Sequence, residues 1–258
     1  MGKVPVNLNY TSSNDSIAAA ARQCGMKHVI TAHAFLEQLP VVPPTEDVIY
    51  LEDVMKTVGP RDHRRGALSA FFMPVRRLER ELGAPANRSC DDLATIIFSS
   101  GSEGEPKGIM LTHFNIISNV DAGIQVFPHR KWDTLVGILP FFHSFGYTAT
   151  LWAVLTQKLS AVYHPNPLEA KQIGDLIHQY KGKILFSTST FLQNFIRRCS
   201  AKQLSSLETI VTGAEKLAPR VRDAFKEKFG VEPLEGYGTT ECAPIVSLNI
   251  PDFRAPGF

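Results

Sequence analysis

Apolar positions along this chain follow two patterns that alternate from its start to its end. Short apolar runs, typical of buried strands, are separated by longer stretches in which apolar residues recur at helical spacing. Alternation of this kind predicts an α/β fold, with parallel sheets flanked by helices on both faces. The predicted strands cover residues 3–8, 28–31, 47–51, 93–98, 134–139, 161–164, 184–187, 208–212 and 232–236.

The predicted helices lie between these strands. Ser13 or Asn14 caps the first helix, which runs through Arg22 and stops at Gly25. Glycine at that position is favourable because it readily takes the left-handed backbone conformation that ends many helices. The remaining helices are predicted at 34–39, 61–82, 113–125, 147–156, 168–179, 190–199 and 219–229.

Composition and charge indicate a globular protein of two lobes. The 258 residues are 44% hydrophobic and 20% charged, which is enough apolar sequence for two packed cores. The alternation halts at Pro128 and restarts at Thr134, so we expect one α/β lobe over residues 1–128 and another over 129–258. The net charge of +2 is too small to indicate a nucleic-acid partner.

Nothing in the apolar pattern indicates secretion or membrane insertion. Residues 1–3 lead directly into a predicted strand, and the apolar run 145–155 is too short to span a bilayer. The cysteines lack the paired spacing of a metal site, and free thiols fit a reducing compartment. We therefore expect a cytoplasmic protein. The cysteines are Cys24, Cys90, Cys199 and Cys242.

The predicted helix at 61–82 leaves contact with the inner face of a membrane open. Arginines flank its apolar stripe, a pattern typical of helices that lie on membrane surfaces. The alternative is an ordinary helix with one buried stripe and one solvated face. Glu79 and Glu81 dilute the charge and Pro74 breaks the stripe, which favours the ordinary helix. The arginines are Arg61, Arg64, Arg65, Arg76, Arg77 and Arg80.

A loop rich in glycine and hydroxyl groups follows the predicted strand at 93–98. Small residues let the backbone approach a phosphate closely, serine hydroxyls can donate to it, and Lys107 can neutralise its charge. The spacing differs from that of a Walker loop, since glycine follows Lys107. A plain surface turn is the alternative. The loop consists of Ser99, Ser100, Gly101, Ser102, Glu103, Gly104, Glu105, Pro106, Lys107 and Gly108.

Further segments carry glycine and polar residues at the ends of predicted strands. His143 lies within residues 140–146, Gly213 within the turn 212–215, and Tyr237 within residues 235–241. Each segment could by itself be an ordinary turn. A lone histidine such as His143 is more often satisfied by a backbone carbonyl than placed in a site.

Together and in this order, these segments resemble the motifs of the adenylate-forming superfamily, the acyl-CoA and acyl-carrier-protein synthetases and their relatives. Residues 99–108 match its phosphate-loop pattern Ser/Thr-Ser/Thr-Gly-x-x-Gly-x-Pro-Lys-Gly throughout. Residues 237–241 match Tyr-Gly-x-Thr-Glu, and residues 140–146 resemble the Pro-x-x-His-x-x-Gly segment beside the acyl pocket. Residues 213–215 resemble the Gly-Ala/Gly-Glu turn that lies along the adenine.

The resemblance implies a role for each matching residue. The loop and Lys107 would hold the β- and γ-phosphates of ATP, Thr240 the α-phosphate, and Glu241 a Mg²⁺ ion, which prefers hard oxygen ligands. His143 and Gly236 would contact the acid substrate, and Lys107, Thr240 and Glu241 would be catalytic. The residues implied for the nucleotide are Ser99, Ser100, Gly101, Ser102, Glu103, Gly104, Lys107, Gly213, Ala214, Glu215, Gly236, Tyr237, Gly238, Thr239 and Thr240.

Residues 4–10, 100–104 and 239–244 resemble one branch in particular, the 2-acylglycerophosphoethanolamine acyltransferases and acyl-carrier-protein synthetases. This implies ATP-dependent activation of a fatty or other carboxylic acid to an acyl-adenylate, followed by thioester formation with coenzyme A or acyl carrier protein.

The family's ribose-binding segment, hinge arginine and C-terminal domain with its lysine have no match here. We therefore expect a truncated piece of the large N-terminal domain, inactive or poorly active alone and missing the C-terminal domain of its parent. A nucleotide-binding piece without turnover, or a membrane-surface or partner-binding module, are the alternatives.

Overall fold

A computed structural model describes residues 2–100, 105–127 and 129–250 of the chain. The chain divides into two compact units, Met1–Met110 and Leu111–Phe258. The division into lobes at 1–128 and 129–258 stays a prediction. Within the described ranges, no helix combines the length and the apolar character needed to cross a membrane.

The first unit contains short strands and mostly exposed helices. Strands β1 and β2 pair in parallel, and β3 pairs with β4. The boundary between the two units falls within β4. Its buried residues come mainly from the first helix and from β3. The elements are α1 (Asn14–Gln23), β1 (Val29–Thr31), α2 (His33–Gln38), β2 (Val48–Tyr50), α3 (Leu51–Thr57), α4 (Pro60–Phe72), α5 (Val75–Glu81), β3 (Leu93–Ser100) and β4 (Pro106–Thr112).

The predicted start of the first helix is confirmed. The hydroxyl of Ser13 accepts a hydrogen bond from the backbone N–H of Ser16 at 3.3 Å, which satisfies a donor that the first helical turn leaves unpaired. Gly25 follows the helix with φ +59°, in the left-handed region that glycine favours.

Two predictions in the first unit are wrong. Residues 3–8 form no strand; Pro5 has no backbone N–H for a ladder, and its carbonyl accepts a hydrogen bond from the Thr95 hydroxyl at 2.8 Å. The helix predicted at 61–82 is two helices, α4 and α5. The break falls at Met73, whose ψ of 132° is extended because Pro74 follows it.

The second unit continues the alternation of strands and helices. A π-helix and a 3₁₀-helix interrupt its regular elements. The elements are α6 (His113–Ile124), β5 (Thr134–Gly137), α7 (Ser144–Gly146), the π-helix Tyr147–Trp152, α8 (Ala153–Gln157), β6 (Ser160–Tyr163), α9 (Ala170–Tyr180), β7 (Ile184–Ser187), α10 (Ser189–Arg198), α11 (Ala201–Leu204), β8 (Thr209–Thr212), α12 (Pro219–Phe229), β9 (Leu234–Gly238), the 3₁₀-helix Thr240–Cys242 and β10 (Ile245–Leu248).

The strands of the second unit form one sheet in the order β10-β9-β8-β7-β5-β6. Neighbouring strands from β9 to β6 are parallel, and β10 pairs antiparallel with β9. Every residue of β7 and β8 is buried, as expected for strands covered on both faces. The predicted fold class, α/β with a mostly parallel sheet flanked by helices, is therefore confirmed.

The core of the second unit lies where helices cover this sheet. Fully buried aliphatic side chains of the strands meet fully buried side chains of α9, α10 and α12. Burying each contributes about 1.5–3 kcal/mol relative to leaving it exposed, so this packing stabilises the second unit. The fully buried set includes Leu135, Leu185, Ile210, Ile173, Ile177, Leu192, Phe195 and Phe225.

Candidate active site

A cavity of about 150 Å³ lies in the second unit, next to the carboxyl ends of β8 and β9. Ligands in open α/β sheets bind at this edge of the sheet. One wall of the cavity is apolar and comes from α6 and the segment after it, α7, the π-helix, α8 and β10. This wall consists of Val120, Gly123, Ile124, Phe127, Phe145, Ala149, Ala153, Ile245 and Leu248.

The cavity brings together residues of separate sequence motifs. Residues predicted for the nucleotide and for the acid substrate line the same space, although they come from segments after β5, after β8 and along β9. The rest of the polar lining consists of Ser144, Thr148 and Thr212. The predicted residues that line the cavity are His143, Gly213, Ala214, Gly236, Tyr237, Gly238, Thr239 and Thr240.

The glycine at 238 is required by a close backbone approach. A Cβ atom there would lie 2.3 Å from the carbonyl oxygen of Pro244, closer than any real Cβ contact. Without a side chain, β9 passes against the segment that leads into β10 and presents Tyr237, which is 63% exposed, beside the cavity. An aromatic ring held in this way offers a flat apolar face to a planar ligand.

Ala214 has an unusual backbone conformation at the cavity rim. Its φ is +66°, in the left-handed region that costs residues with a Cβ of order 1–2 kcal/mol. Such strained residues cluster at functional sites. With this conformation the chain turns sharply after β8, and Gly213 and Ala214 both line the cavity.

Glu215, the next residue, does not line the cavity. Its carboxylate accepts hydrogen bonds from the backbone N–H of Thr190 at 2.5 Å and from the Thr190 hydroxyl at 3.0 Å. Partial burial by itself would raise the pKa of Glu215, but the hydrogen bonds from Thr190 and Thr188 outweigh it and lower the pKa. Glu215 thus ties the turn after β8 to the start of α10, and its predicted contact with the nucleotide stays a prediction.

Thr240 and the histidine segment are joined by a direct contact. The hydroxyls of Ser144 and Thr240 lie 3.1 Å apart, within hydrogen-bonding distance, and Ser144 is buried. This bond links residues 96 positions apart in the chain. It holds the Thr240 side chain at the cavity. The phosphate contact predicted for Thr240 stays a prediction.

His143 lines the cavity, and its ring accepts a hydrogen bond from the backbone. Its Nδ1 accepts a hydrogen bond from the Phe145 N–H at 3.3 Å, which in the neutral imidazole leaves Nε2 as the donor. His143 is exposed to solvent, but the atoms packed around its ring limit the hydration of the charged form and lower the pKa of His143 below its usual value. At neutral pH the ring is uncharged and can donate through Nε2.

Glu241 lies outside this cavity. It lines a shallow groove together with Asn115, Ser118 and Asn119. No cluster of three or more His, Cys, Asp or Glu residues that could hold a metal occurs in the described part of the chain. Mg²⁺ needs few protein ligands when water and substrate phosphates complete its octahedron, so a single carboxylate is compatible with such a site. The metal role of Glu241 stays a prediction.

The predicted phosphate loop belongs to the first unit. Ser99 and Ser100 end β3, and the exposed Lys107 is the second residue of β4. Gly101, Ser102, Glu103 and Gly104 lie outside the described residues. The phosphate contacts predicted for Ser99, Ser100 and Lys107 stay predictions.

Asn119 holds the cavity wall together and was not singled out by the sequence reasoning. Its amide donates to the carbonyls of Cys242 and Ile245 at 3.1 and 2.8 Å and accepts from the Ile245 N–H at 3.1 Å. These bonds fasten the segment after the Tyr-Gly-x-Thr-Glu motif to α6. A polar residue within the apolar face of a helix is a weak signal for such a contact.

Known proteins resemble this chain in sequence. A family model described as AMP-binding enzyme matches residues 1–257. A probable 4-coumarate–CoA ligase 1 from Dictyostelium discoideum is 37% identical over 214 residues, which are 79% of this chain and 39% of that protein. A long-chain-fatty-acid–CoA ligase from Bacillus subtilis is 29% identical over 164 residues, 61% of this chain and 29% of that protein.

The fold is also found in solved structures. The crystal structure of an anthranilate CoA ligase in complex with anthranoyl-AMP has a TM-score of 0.76 at 22% identity, over 99% of this chain and 48% of that one. The chain thus spans less than half the length of each of these relatives. Because the family model covers residues 1–257, the chain belongs to the family of AMP-binding, adenylate-forming enzymes.

Proposed function

We propose that this chain forms the acid-activating part of an ATP-dependent acid–CoA ligase. The carboxylate of the substrate attacks the α-phosphorus of ATP, pyrophosphate leaves, and an acyl-adenylate remains; a thiol then takes the acyl group and AMP leaves. One observation carries the proposal. A single cavity in the second unit is lined by His143, Gly213, Tyr237 and Thr240, which come from different motifs of the sequence.

The adenine lies against Tyr237 and the turn of Gly213 and Ala214 in this proposal. The exposed tyrosine ring supplies a stacking face, and the turn places backbone atoms rather than side chains beside the ring edge. Stacking of a base on an aromatic side chain is typically worth about 1–3 kcal/mol. Gly236 and Gly238 let β9 lie close to its neighbours in the segment that carries Tyr237.

The acid substrate occupies the apolar part of the cavity, with its carboxylate toward His143 and Thr240. A neutral His143 can donate a hydrogen bond to the carboxylate oxygen without forming an ion pair that would weaken its attack. Thr240 donates to the α-phosphate, where charge develops. We propose a carboxylic acid as the substrate. The resemblance to the acyltransferase and acyl-carrier-protein synthetase branch suggests a fatty acid in particular.

The phosphate loop and the metal complete the proposal. Lys107 and residues 99–104 neutralise the β- and γ-phosphates, and Glu241 binds Mg²⁺ together with the phosphates and water. A bound Mg²⁺ would supply further charge neutralisation at the phosphates. The relatives named above are CoA ligases, which supports coenzyme A as the thiol acceptor. Acyl carrier protein rests on the branch resemblance alone.

Calorimetric titration with a non-hydrolysable acyl-adenylate tests this function. The analogue should bind the 258-residue chain, and Tyr237→Ala should weaken binding by about tenfold or more, because the stacking face is lost. Tyr180→Ala is the matched control, since Tyr180 is a 50% exposed tyrosine in α9 that does not line the cavity. No binding by the wild-type chain, or equal losses for both variants, would contradict the proposal. Pyrophosphate release then separates an enzyme from a nucleotide-binding protein without turnover.

A second candidate function is contact with an anionic membrane surface. It is favoured by the exposure of two neighbouring phenylalanines. Phe71 is 85% exposed and Phe72 is 75% exposed at the end of α4, with arginines on both sides in sequence. A cationic helix with exposed aromatic rings suits such a surface. Co-sedimentation with phosphatidylserine vesicles should be lost in the double variant Phe71→Ser and Phe72→Ser. Equal sedimentation of wild type and variant would exclude this contact.

A further inference from the structure

The turn that follows β8 is strained at its centre and fastened at both ends. Ala214 has a φ of +66°, and such a conformation persists only where the surrounding structure holds it. Before it, the Gly213 N–H donates to the Ser187 carbonyl at the end of β7, at 3.2 Å. After it, the Leu217 N–H donates to the carboxylate of Glu235 in β9, at 2.8 Å. The strained residue lies between these two bonds, so a further contact has to hold it.

The carboxylate of Glu215 supplies a contact at the middle of the turn, directly after the strained residue. It accepts from the backbone N–H of Thr190 at 2.5 Å and from the Thr190 hydroxyl at 3.0 Å. Thr190 is the second residue of α10, where backbone N–H groups have no partner within the helix. The N-cap residue Thr188 accepts the N–H of Phe191 through its hydroxyl. Glu215 accepts that of Thr190 and so caps the same helix from a distant part of the chain.

The helix that anchors the turn is firmly packed, whereas the centre of the turn is not. Leu192 and Phe195 of α10 are both 0% exposed in the core of the second unit. Residues 214–216 are all exposed, so packing contributes little to their position. A carboxylate is also favourable at the start of a helix, because the helix dipole places partial positive charge there. The bond between Glu215 and Thr190 thus ties a strained, exposed segment to a rigid element.

We propose that Glu215 and Thr190 are positioning residues for the adenine of the bound nucleotide. Their paired hydrogen bonds hold the turn of Gly213 and Ala214 at the cavity, and loss of these bonds lets Ala214 relax to a negative φ and withdraw from the base. Glu215 and Thr190 both lie outside the cavity lining, so they act through the turn rather than by touching the ligand. This inference rests on the proposed function, in which the adenine lies against that turn.

Discrimination between two bases reports the position of the turn. The probes are benzoyl- and decanoyl-sulfamoyl adenosine and their inosine counterparts, in which a carbonyl oxygen replaces the exocyclic amine of the base. Backbone atoms held beside the base edge distinguish a donor from an acceptor at that position. In calorimetric titration, wild type should bind the tighter adenosine compound about tenfold more tightly than its inosine counterpart. Glu215→Ala should reduce this preference to about threefold or less.

Two further substitutions identify the hydrogen bonds as the cause. Glu215→Gln keeps an oxygen that can accept the Thr190 N–H, so it should retain the wild-type preference. Thr190→Val removes the hydroxyl and leaves the N–H, and its preference should fall between those of wild type and Glu215→Ala. Adding Thr190→Val to Glu215→Ala should have no further effect, because both substitutions break the same contact.

A matched control separates positioning from a general loss of stability. Glu169 is the N-cap residue of α9 and lies outside the cavity lining. Its carboxylate accepts from the Asn166 amide at 3.1 Å and lies 2.7 Å from Nε2 of His164. Glu169→Ala should lower the thermal unfolding midpoint about as much as Glu215→Ala but leave the base preference unchanged. If Glu215→Ala fails to fold, Thr190→Val decides the question.

The outcomes separate this inference from the function on which it rests. If no compound binds the wild-type chain, the proposed function fails and this inference fails with it. If the adenosine compounds bind but adenine is not preferred, or if Glu215→Ala keeps the preference or Glu169→Ala loses it equally, this inference alone is wrong. A preference lost in Glu215→Ala and unchanged in Thr190→Val would indicate direct contact of Glu215 with the nucleotide, as the motif resemblance implies, and would overturn the positioning role.

Discussion

At the scale of single residues, the cavity is held by hydrogen bonds between distant parts of the chain. Ser144 reaches Thr240, and Asn119 reaches Cys242 and Ile245, so the segment after β9 is fastened to the helical side of the cavity. Each bond can be removed by a single substitution. These bonds connect residues 96 to 126 positions apart, which is why local sequence patterns do not reveal them.

Ser144→Ala should weaken binding of an acyl-adenylate analogue while the protein still folds. Loss of the bond to Thr240 should lower the free energy of unfolding by about 1 kcal/mol and let the Thr240 side chain leave its position at the cavity. Ser206→Ala is the matched control, because Ser206 donates to the Gly182 carbonyl at 2.8 Å away from the cavity. In denaturant unfolding, both variants should lose about the same free energy of unfolding. Only Ser144→Ala should also weaken binding of the acyl-adenylate analogue. Equal analogue binding by the two variants would contradict the role of Ser144.

His143 should titrate below its ordinary pKa of 6.5 because its surroundings limit hydration of the charged ring. A folded-state pKa below the unfolded value means that the unfolded chain binds the proton more readily. The contribution of His143 to stability is therefore fully present above pH 6.5 and is lost as the pH falls through the folded-state pKa. An NMR titration of the imidazole in wild type, assigned with His143→Gln, measures this pKa. A value at or above 6.5 would contradict the proposed surroundings.

At the scale of elements, the site depends on sharp connections between strands and helices. Ala214 turns the chain after β8, Glu215 ties that turn to α10, and Gly146 ends α7, directly before the π-helix that lines the cavity. At Gly146 a Cβ atom would lie 2.2 Å from the Pro140 carbonyl oxygen and 2.9 Å from that of Leu139. Position 146 can therefore be occupied only by a residue without a side chain.

Gly146→Ala should destabilise the protein and disturb the cavity. The backbone oxygens near the new methyl group cannot move far, so we expect a loss of about 2–3 kcal/mol in the free energy of unfolding, together with weaker analogue binding. Gly66→Ala is the control, because nothing lies within 4 Å of a Cβ at that position in α4. It should gain up to about 1 kcal/mol from improved helix propensity. Equal stability of the two variants would contradict the close approach.

Regular elements with a clear period could be predicted from the sequence, whereas their interruptions could not. Strand β7 and helix α12 have the predicted bounds, because apolar side chains in those segments face one core. The π-helix was expected to be α-helix, since its residues carry the same periodicity. Strand β10 was missed, because its pairing with β9 depends on contacts outside its own sequence.

The residues of the candidate site likewise divide into those that the sequence predicts and those that it does not. Its motif residues at 143, 213–214 and 236–240 could be found from the sequence, since each combines a strand end with glycine or a polar group. Residues that act through a partner elsewhere in the chain, such as Ser144 and Asn119, carry no local signal. The Thr190 contact of Glu215 likewise depends on tertiary structure, since α10 lies 25 residues earlier.

At the scale of the whole molecule, the proposed activity requires positive charge at the predicted phosphate loop as well as the cavity. Lys107→Ala should reduce ATP–pyrophosphate exchange by at least about tenfold with folding intact, because a charge-assisted phosphate contact is worth roughly 1.5–3 kcal/mol. Lys56→Ala provides the control, since Lys56 pairs with Asp53 on the surface of the first unit. Unchanged exchange in a folded Lys107→Ala protein would exclude the role of Lys107.

The central claim is that the cavity of the second unit is an acyl-adenylate site. A crystal structure of the chain with a non-hydrolysable acyl-adenylate tests it most directly. We predict the adenine against Tyr237 and the turn of Gly213 and Ala214, the phosphate mimic at Thr240, and the acyl group in the apolar part of the cavity. An analogue bound elsewhere on the chain, with the cavity empty, would contradict the account.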